Sequence, residues 1–250
     1  LGVVACFFVS DPATTETYPL PLHDALPILV GTFLLDERHG VFNMFGLKGE
    51  LTSQAHWSEG LLHGEQERFF GSGERKSLLT WVAGQQTGPA SYYREVPDHE
   101  AKREPGAPLP MRRTLQEEGA YEHGRKIGVW VDYHLSGEMR GTGPYAGDLR
   151  EGLWRFYTAE GVDEAQGRYV ADEQAGRWVG YHSSGAKKFE GGFVEGVAQG
   201  DWTRWWASGQ KKSEGPILDG KWHGEWLAWD KDGRVDPKLS GTYDLGSKLK

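Results

Sequence analysis

A 24-residue period governs this chain. Gly128, Gly152, Gly176, Gly200 and Gly224 stand 24 residues apart, and each is followed two places later by a tryptophan: Trp130, Trp154, Trp178, Trp202 and Trp226. Stepping backwards, with one 16-residue insertion between Gly88 and Gly128, gives three weaker copies at Gly40, Gly64 and Gly88, hence eight units. A repeat this short cannot bury its own apolar face and must stack on its neighbours.

Fixed offsets from the marker glycine show what each unit is. An aromatic stands five residues after it: Phe45, Phe69, Tyr93, Tyr133, Tyr157, Tyr181, Trp205 and Trp229. A second glycine follows nine residues after the marker in seven of the eight copies, the third copy having Pro97 there. A bulky residue lies seven before it, from Phe33 through Tyr145 and Tyr169 to Ile217, and Gly or Asp lies four before it. Two aromatic-rich runs closed by glycine turns are what a β-hairpin needs. A helix with a glycine every ten or so residues would lose about 1 kcal/mol at each. The expected fold is therefore all-β: an elongated open array of eight antiparallel hairpins, with sixteen strands over residues 33 to 243 in a single domain, 29–250. With 36 glycines and 11 tryptophans, ring stacking takes the place of an aliphatic core.

The period breaks once. Pro97, Pro105, Pro108 and Pro110 crowd a charged stretch, so residues 97–112 are expected to be a surface loop rather than ladder.

The unit Gly-x-Trp-x-x-Tyr-x-x-x-Gly, followed by Tyr-x-x-Gly-x-x-x-Gly, resembles the MORN repeat, especially its bacterial variant in YwqK-type proteins. The five C-terminal copies carry the pattern well, whereas Phe42, Gln66 and Ala90 replace the tryptophan in the other three. The resemblance implies a non-enzymatic repeat scaffold. YwqK-type proteins are commonly described as antitoxins, which implies a protein partner, a cognate toxin neutralised by direct binding. The alternative it implies is a structural or membrane-associated scaffold that binds lipid headgroups or organises other proteins. A toxin gene next door would favour the first and a signal peptide an envelope role.

Residues Asp11 to Ile28 resemble the conceptual translation of a sequencing adapter, differing at Pro12, Thr17, Pro19 and Pro21. Residues 1–28 are accordingly read as an assembly artefact, unstructured and outside the array. Val3-Val-Ala-Cys6 would pass for the end of a lipoprotein signal, but the apolar run is too short. Localisation is therefore not read from this sequence. Cys6 is the only cysteine, which excludes an intrachain disulfide and a thiolate zinc site. No apolar stretch beyond residue 30 approaches the ~20 residues of a membrane-spanning helix. A net charge of −8 disfavours non-specific binding to nucleic acid.

Chemistry-bearing motifs are scarce. Gly71-Ser-Gly73 and Gly141-Thr-Gly143 lack the third glycine of a dinucleotide loop, and no phosphate loop or nucleophile elbow occurs. His39, His63 and His223 precede marker glycines, but equivalent positions in successive hairpins lie roughly 9 to 10 Å apart. That is too far for one tetrahedral zinc. No catalytic, cofactor or metal site is expected.

Two surface columns remain. Lys187, Lys188, Lys211 and Lys212 recur at matching offsets, with Arg75, Lys76 and Arg140 in other units, and would form a basic stripe on an acidic protein. Trp205, Trp206 and Trp229 form the second column. Strand alternation puts Trp202 and Trp205 on opposite faces unless a bulge intervenes. Lys187, Lys188, Trp205, Trp206, Lys211 and Lys212 are the candidate partner-binding residues. Deleting residues 1–28 is expected to leave Tm unchanged. A fall of several degrees in a thermal scan would show that the segment packs on the array.

Overall fold

The computed structural model describes residues 28–102, 104 and 106–249. All described regular structure is β, and every pairing is antiparallel between strands close in sequence. The chain divides into two compact units, with the boundary between Lys126 and Ile127. In the first, β1 (Ile28–Leu34), β2 (Glu37–Phe45), β3 (Leu51–Ser58), β4 (Leu61–Phe69), β5 (Arg75–Val82), β6 (Gln85–Pro97) and β7 (Met111–Glu122) pair in order. Strand β8 (Arg125–Tyr133) spans the boundary.

The second unit continues with β9 (Met139–Ala146), β10 (Leu149–Arg150), β11 (Gly152–Tyr157), β12 (Asp163–Val170), β13 (Glu173–Tyr181), β14 (Lys187–Val194) and β15 (Val197–Trp205). It ends with β16 (Lys211–Leu218), β17 (Lys221–Trp222), β18 (Gly224–Ala228), β19 (Gly241–Asp244) and β20 (Ser247–Lys248). Among the described residues neither unit pairs its first strand with its last, so both sheets are open. The artefact reading falls on residues 1–27, outside the described residues, and on Ile28, which opens β1 opposite Phe45.

Each unit of sequence makes one hairpin by two kinds of turn. The tight turn has both central residues at positive φ, as at Ala171 (48°) and Asp172 (73°), the geometry that joins twisted strands with two residues. This is why Gly or Asp stands four before the marker. The other turn links one hairpin to the next. In it the His182 N–H bonds the Ala186 carbonyl at 2.8 Å and the Gly185 N–H bonds the His182 carbonyl at 2.8 Å, with Gly185 at φ 81°. The same pair of bonds recurs at Gly137, Gly161, Gly209 and Gly233.

Among the described residues twenty strand segments replace the sixteen expected. Two strands are interrupted, at Glu151 and His223, because the facing residues are Pro144 and Pro216, which have no N–H to give to the ladder. Beyond the eighth hairpin, β19 and β20 make a short ninth. Its Tyr243 and Gly246 stand three apart, like the bulky and turn residues of every other unit, but a two-residue insertion shifts them out of period. The insertion at 97–112 is also less irregular than expected. The ladder runs through Val96↔Arg112 to Pro97↔Met111, and the Asp98 N–H still bonds the Pro110 carbonyl at 2.7 Å, so the two strands extend well into the insertion. Pro97 sits at the last rung, where a missing donor costs least.

Packing rests on a row of alternating large and small residues across the strands. Trp154 faces Gly167, which faces Trp178, which faces Gly191; Trp202 then faces Gly215. A Cβ on Gly167 or Gly191 would lie 2.1 Å from the Trp178 or Trp202 ring, so the indole lies flat on bare backbone. Trp130, Trp154 and Trp226 are each 1% exposed. Buried indole N–H groups find acceptors: Trp154 donates to the Pro144 carbonyl at 3.1 Å, Trp178 to Arg168 at 3.1 Å and Trp226 to Pro216 at 2.8 Å. Between the indoles stand Tyr145, Tyr169 and Phe193, edge-on at 5.2, 5.1 and 5.3 Å.

The first unit keeps the row with different sizes. Phe42 faces Ala55, which faces Gln66, which faces Leu79, which faces Ala90. Where the indole is lost, the neighbour grows. This rule predicts that Gly191→Ala destabilises by about 1–3 kcal/mol through overlap with Trp202, and Trp202→Ala by about 3–5 kcal/mol through the cavity it leaves. Urea unfolding of both variants measures the two losses.

Candidate functional site

The bulge on which the alternation argument turned is present. Register shifts between Arg204 and Trp205, as it does between Phe156 and Tyr157 and between Gly180 and Tyr181. Consequently Trp202 is buried while Trp205 and Trp206 are half-buried. The Trp206 indole donates to the Trp229 carbonyl at 3.2 Å, one repeat on. His182 Nε2 makes the equivalent bond to the Trp205 carbonyl at 2.9 Å and His134 Nε2 to that of Tyr157 at 2.8 Å. Trp229 serves this column through its backbone.

Trp205 and Trp206 wall a cavity of about 600 Å³, the rest of whose lining includes Phe189, Trp202 and Ala207. Its charged lining is Lys188, Arg204, Lys212 and Lys231, beside His182, and no carboxylate among the described residues takes part. Two of the cations lean on one ring: Lys212 Nζ lies 4.4 Å and Lys231 Nζ 5.7 Å from the Trp206 centroid. A neighbouring recess of about 390 Å³ shares His182, Lys188 and Phe189 and carries one acid, Glu164.

Of the six residues nominated from sequence, Lys188, Trp205, Trp206 and Lys212 line this cavity. Lys187 and Lys211 do not. The stripe divides because successive strand residues face opposite ways. Lys187 Nζ bonds Glu190 at 2.8 Å and Lys211 Nζ bonds Glu214 at 2.5 Å; Arg75 likewise pairs with Glu67. Lys187 also lies 5.6 Å from the Trp205 ring centroid. In its neighbouring column Arg140 is matched by Asp132 at 3.5 Å, while Lys188 and Lys212 have no ion pair among the described residues.

Arg204 and Lys231 are the residues the sequence reading missed. Arg204 stands two after Trp202 in β15 and so shares the face of the buried indole. The same offset holds Phe156 and Ala228 in two repeats but Arg68 and Asp132 in two others, so the column is mixed, and its Asp132 is paired with Arg140. Burial lowers its pKa from the ordinary arginine value, and no side chain among the described residues offers it a carboxylate or hydrogen bond. The signal was available as a charged residue at an in-facing offset. For Lys231 no such signal exists, since it comes from the turn of the next repeat.

A second cavity, of about 300 Å³, lies in the first unit where Ala55 and Gln66 stand in the packing row. Its one cation, Arg38, already lies 4.5 Å from the Trp57 ring centroid. Among the described residues no three His, Cys, Asp or Glu side chains gather as metal ligands, and no helix is long and apolar enough to cross a membrane.

The ion pair beside the cavity is pH-sensitive. The Lys187 hydrogen bond, with a second from Arg177, holds the Glu190 carboxyl below its ordinary value of 4.5 against an opposing push from burial. A lowered carboxylate pKa contributes stability above the unfolded value and loses it as pH falls through the folded one. Acid titration of Tm is therefore expected to show a loss below about pH 4.5 that is smaller in Glu190→Gln. The effect should be modest, because both partners are solvent-screened.

No protein-family model matches this chain, and no curated protein matches it either.

Proposed function

We propose that the chain is a non-catalytic protein-binding module, acting as an antitoxin or immunity protein that neutralises a toxin by direct binding. One observation carries this reading: two half-buried tryptophans and four cations share one recess on a sheet whose side chains are held in register by the packing row. Rigid aromatic anchors ringed by cations are the residue types that dominate interface energetics, and a preformed sheet spends little ordering entropy on binding. The likeness of the repeat to MORN and YwqK-type sequences supports the same role. The fixed 24-residue spacing supports an extended contact that meets several hairpins at once.

The tryptophans should govern how long a complex lasts and the lysines how fast it forms. If a toxin-like gene lies beside this one, co-expressing the chain with its product should restore growth, and the two should purify as one complex. Trp206→Ala is expected to raise the dissociation rate at least tenfold while Lys188→Glu/Lys212→Glu mainly slows association. Toxicity unchanged at matched expression, with no complex on a sizing column, would remove the antitoxin reading.

A further inference from the structure

A cation on the apolar face of a sheet needs a counter-charge, and Arg204 finds none among the described residues. Three lysines join it around the same recess, on a chain whose formal charge is −8. Several basic side chains elsewhere are matched, Arg150 by Asp172 at 2.6 Å, Lys126 by Glu117 at 2.6 Å and Arg177 by Glu190 at 2.5 Å. What sets this recess apart is that four cations converge on it and none of them has an ion pair among the described residues.

We infer that this cavity seats a short acidic-apolar peptide segment of the partner protein, with an aspartate or glutamate carboxylate on Arg204 and an apolar side chain against Phe189 and Trp206. The inference rests on the protein-binding reading above and names the partner's chemistry. A planar guanidinium offers two parallel N–H donors, which match a carboxylate in bidentate fashion. Lys188, Lys212 and Lys231 add positive field without geometric demands. The second recess sets the rest of the ligand. It opens through the shared His182, Lys188 and Phe189, extending the site across neighbouring strands beyond the size of a single anion. Glu164 there repels a second negative group, so a polyanion fits less well than a segment carrying its acid at one end.

Binding can be read by calorimetry on the full chain with a capped pentapeptide, two central glutamates flanked by leucine and phenylalanine, and its glutamine counterpart. The glutamate peptide should bind, weaken with added salt, and exceed the glutamine peptide by at least tenfold. Arg204→Met, which keeps an aliphatic stem and removes only the guanidinium, should weaken it about tenfold with Tm unchanged. Lys48→Gln, in the other unit, should change nothing. If Arg204→Met folds poorly, the exposed pair Lys212→Gln/Lys231→Gln supplies the same comparison. Absence of glutamate-peptide binding, equal binding of both peptides, or binding indifferent to these substitutions would overturn the assignment. So would preferred binding of inorganic phosphate or of phosphatidylglycerol vesicles, which would make the recess a phosphate or membrane site. Neutralisation of a toxin by Arg204→Met at wild-type strength would leave the protein-binding role standing and sink this cavity's part in it. Peptide binding without any toxin complex would do the reverse.

Discussion

Contact between an indole and a bare glycine backbone on the adjoining strand is the interaction on which the second unit depends. A single-layered sheet has no second layer to bury its face. The rings must therefore cover one another, and they can lie flat only where the neighbouring strand carries no side chain. Gly143, Gly167, Gly191 and Gly215 provide that space. Satisfaction of the indole N–H by a carbonyl ten residues back removes the penalty that burying a donor would otherwise carry. Strand pairing, aromatic burial and hydrogen bonding are thus met by one arrangement, and the tyrosine or phenylalanine between successive tryptophans closes the remaining gaps.

The period made the hairpins legible because the residues that set it, glycine in the turns and tryptophan on the buried face, each answer to a local requirement. Less legible was whatever depended on two strands at once. Gln66 and Ala90 look like losses when read down one repeat, yet across the sheet they are matched by Ala55 and Leu79. The interruptions at Glu151 and His223 come from prolines on the facing strand. The elongated hairpin at β6 and β7 overrode the proline signal because Pro97 and Pro110 fall where the ladder ends. Tyr243 and Gly246 kept their mutual spacing and lost only their phase.

The candidate site shows the same division. Tryptophan and lysine columns were visible as recurrences, and recurrence alone cannot say which member of a dipeptide points to which face. Lys187 and Lys211 meet glutamates three residues on, whereas Lys188 and Lys212 turn towards Trp206 and its recess. Arg204 stands in a column that also holds Met44, Arg68, Asp132, Phe156 and Ala228, so a search for regularity passes over it. In a repeat fold the departures from the pattern carry the individuality of the molecule, since the pattern itself only holds the sheet together.

The size-matched row also bears on how such a chain can change over generations. Because each small residue lies between two large ones, duplicating any of the Trp/Gly hairpins sets indole on glycine again at both new borders. Transplanting the hairpin of β5 into that series would instead drive Leu79 into an indole, and the reverse transfer would leave a hole beside Ala90. The two halves therefore speak different packing dialects: repeats can multiply within each by simple copying, but exchange between them requires simultaneous substitutions on neighbouring strands.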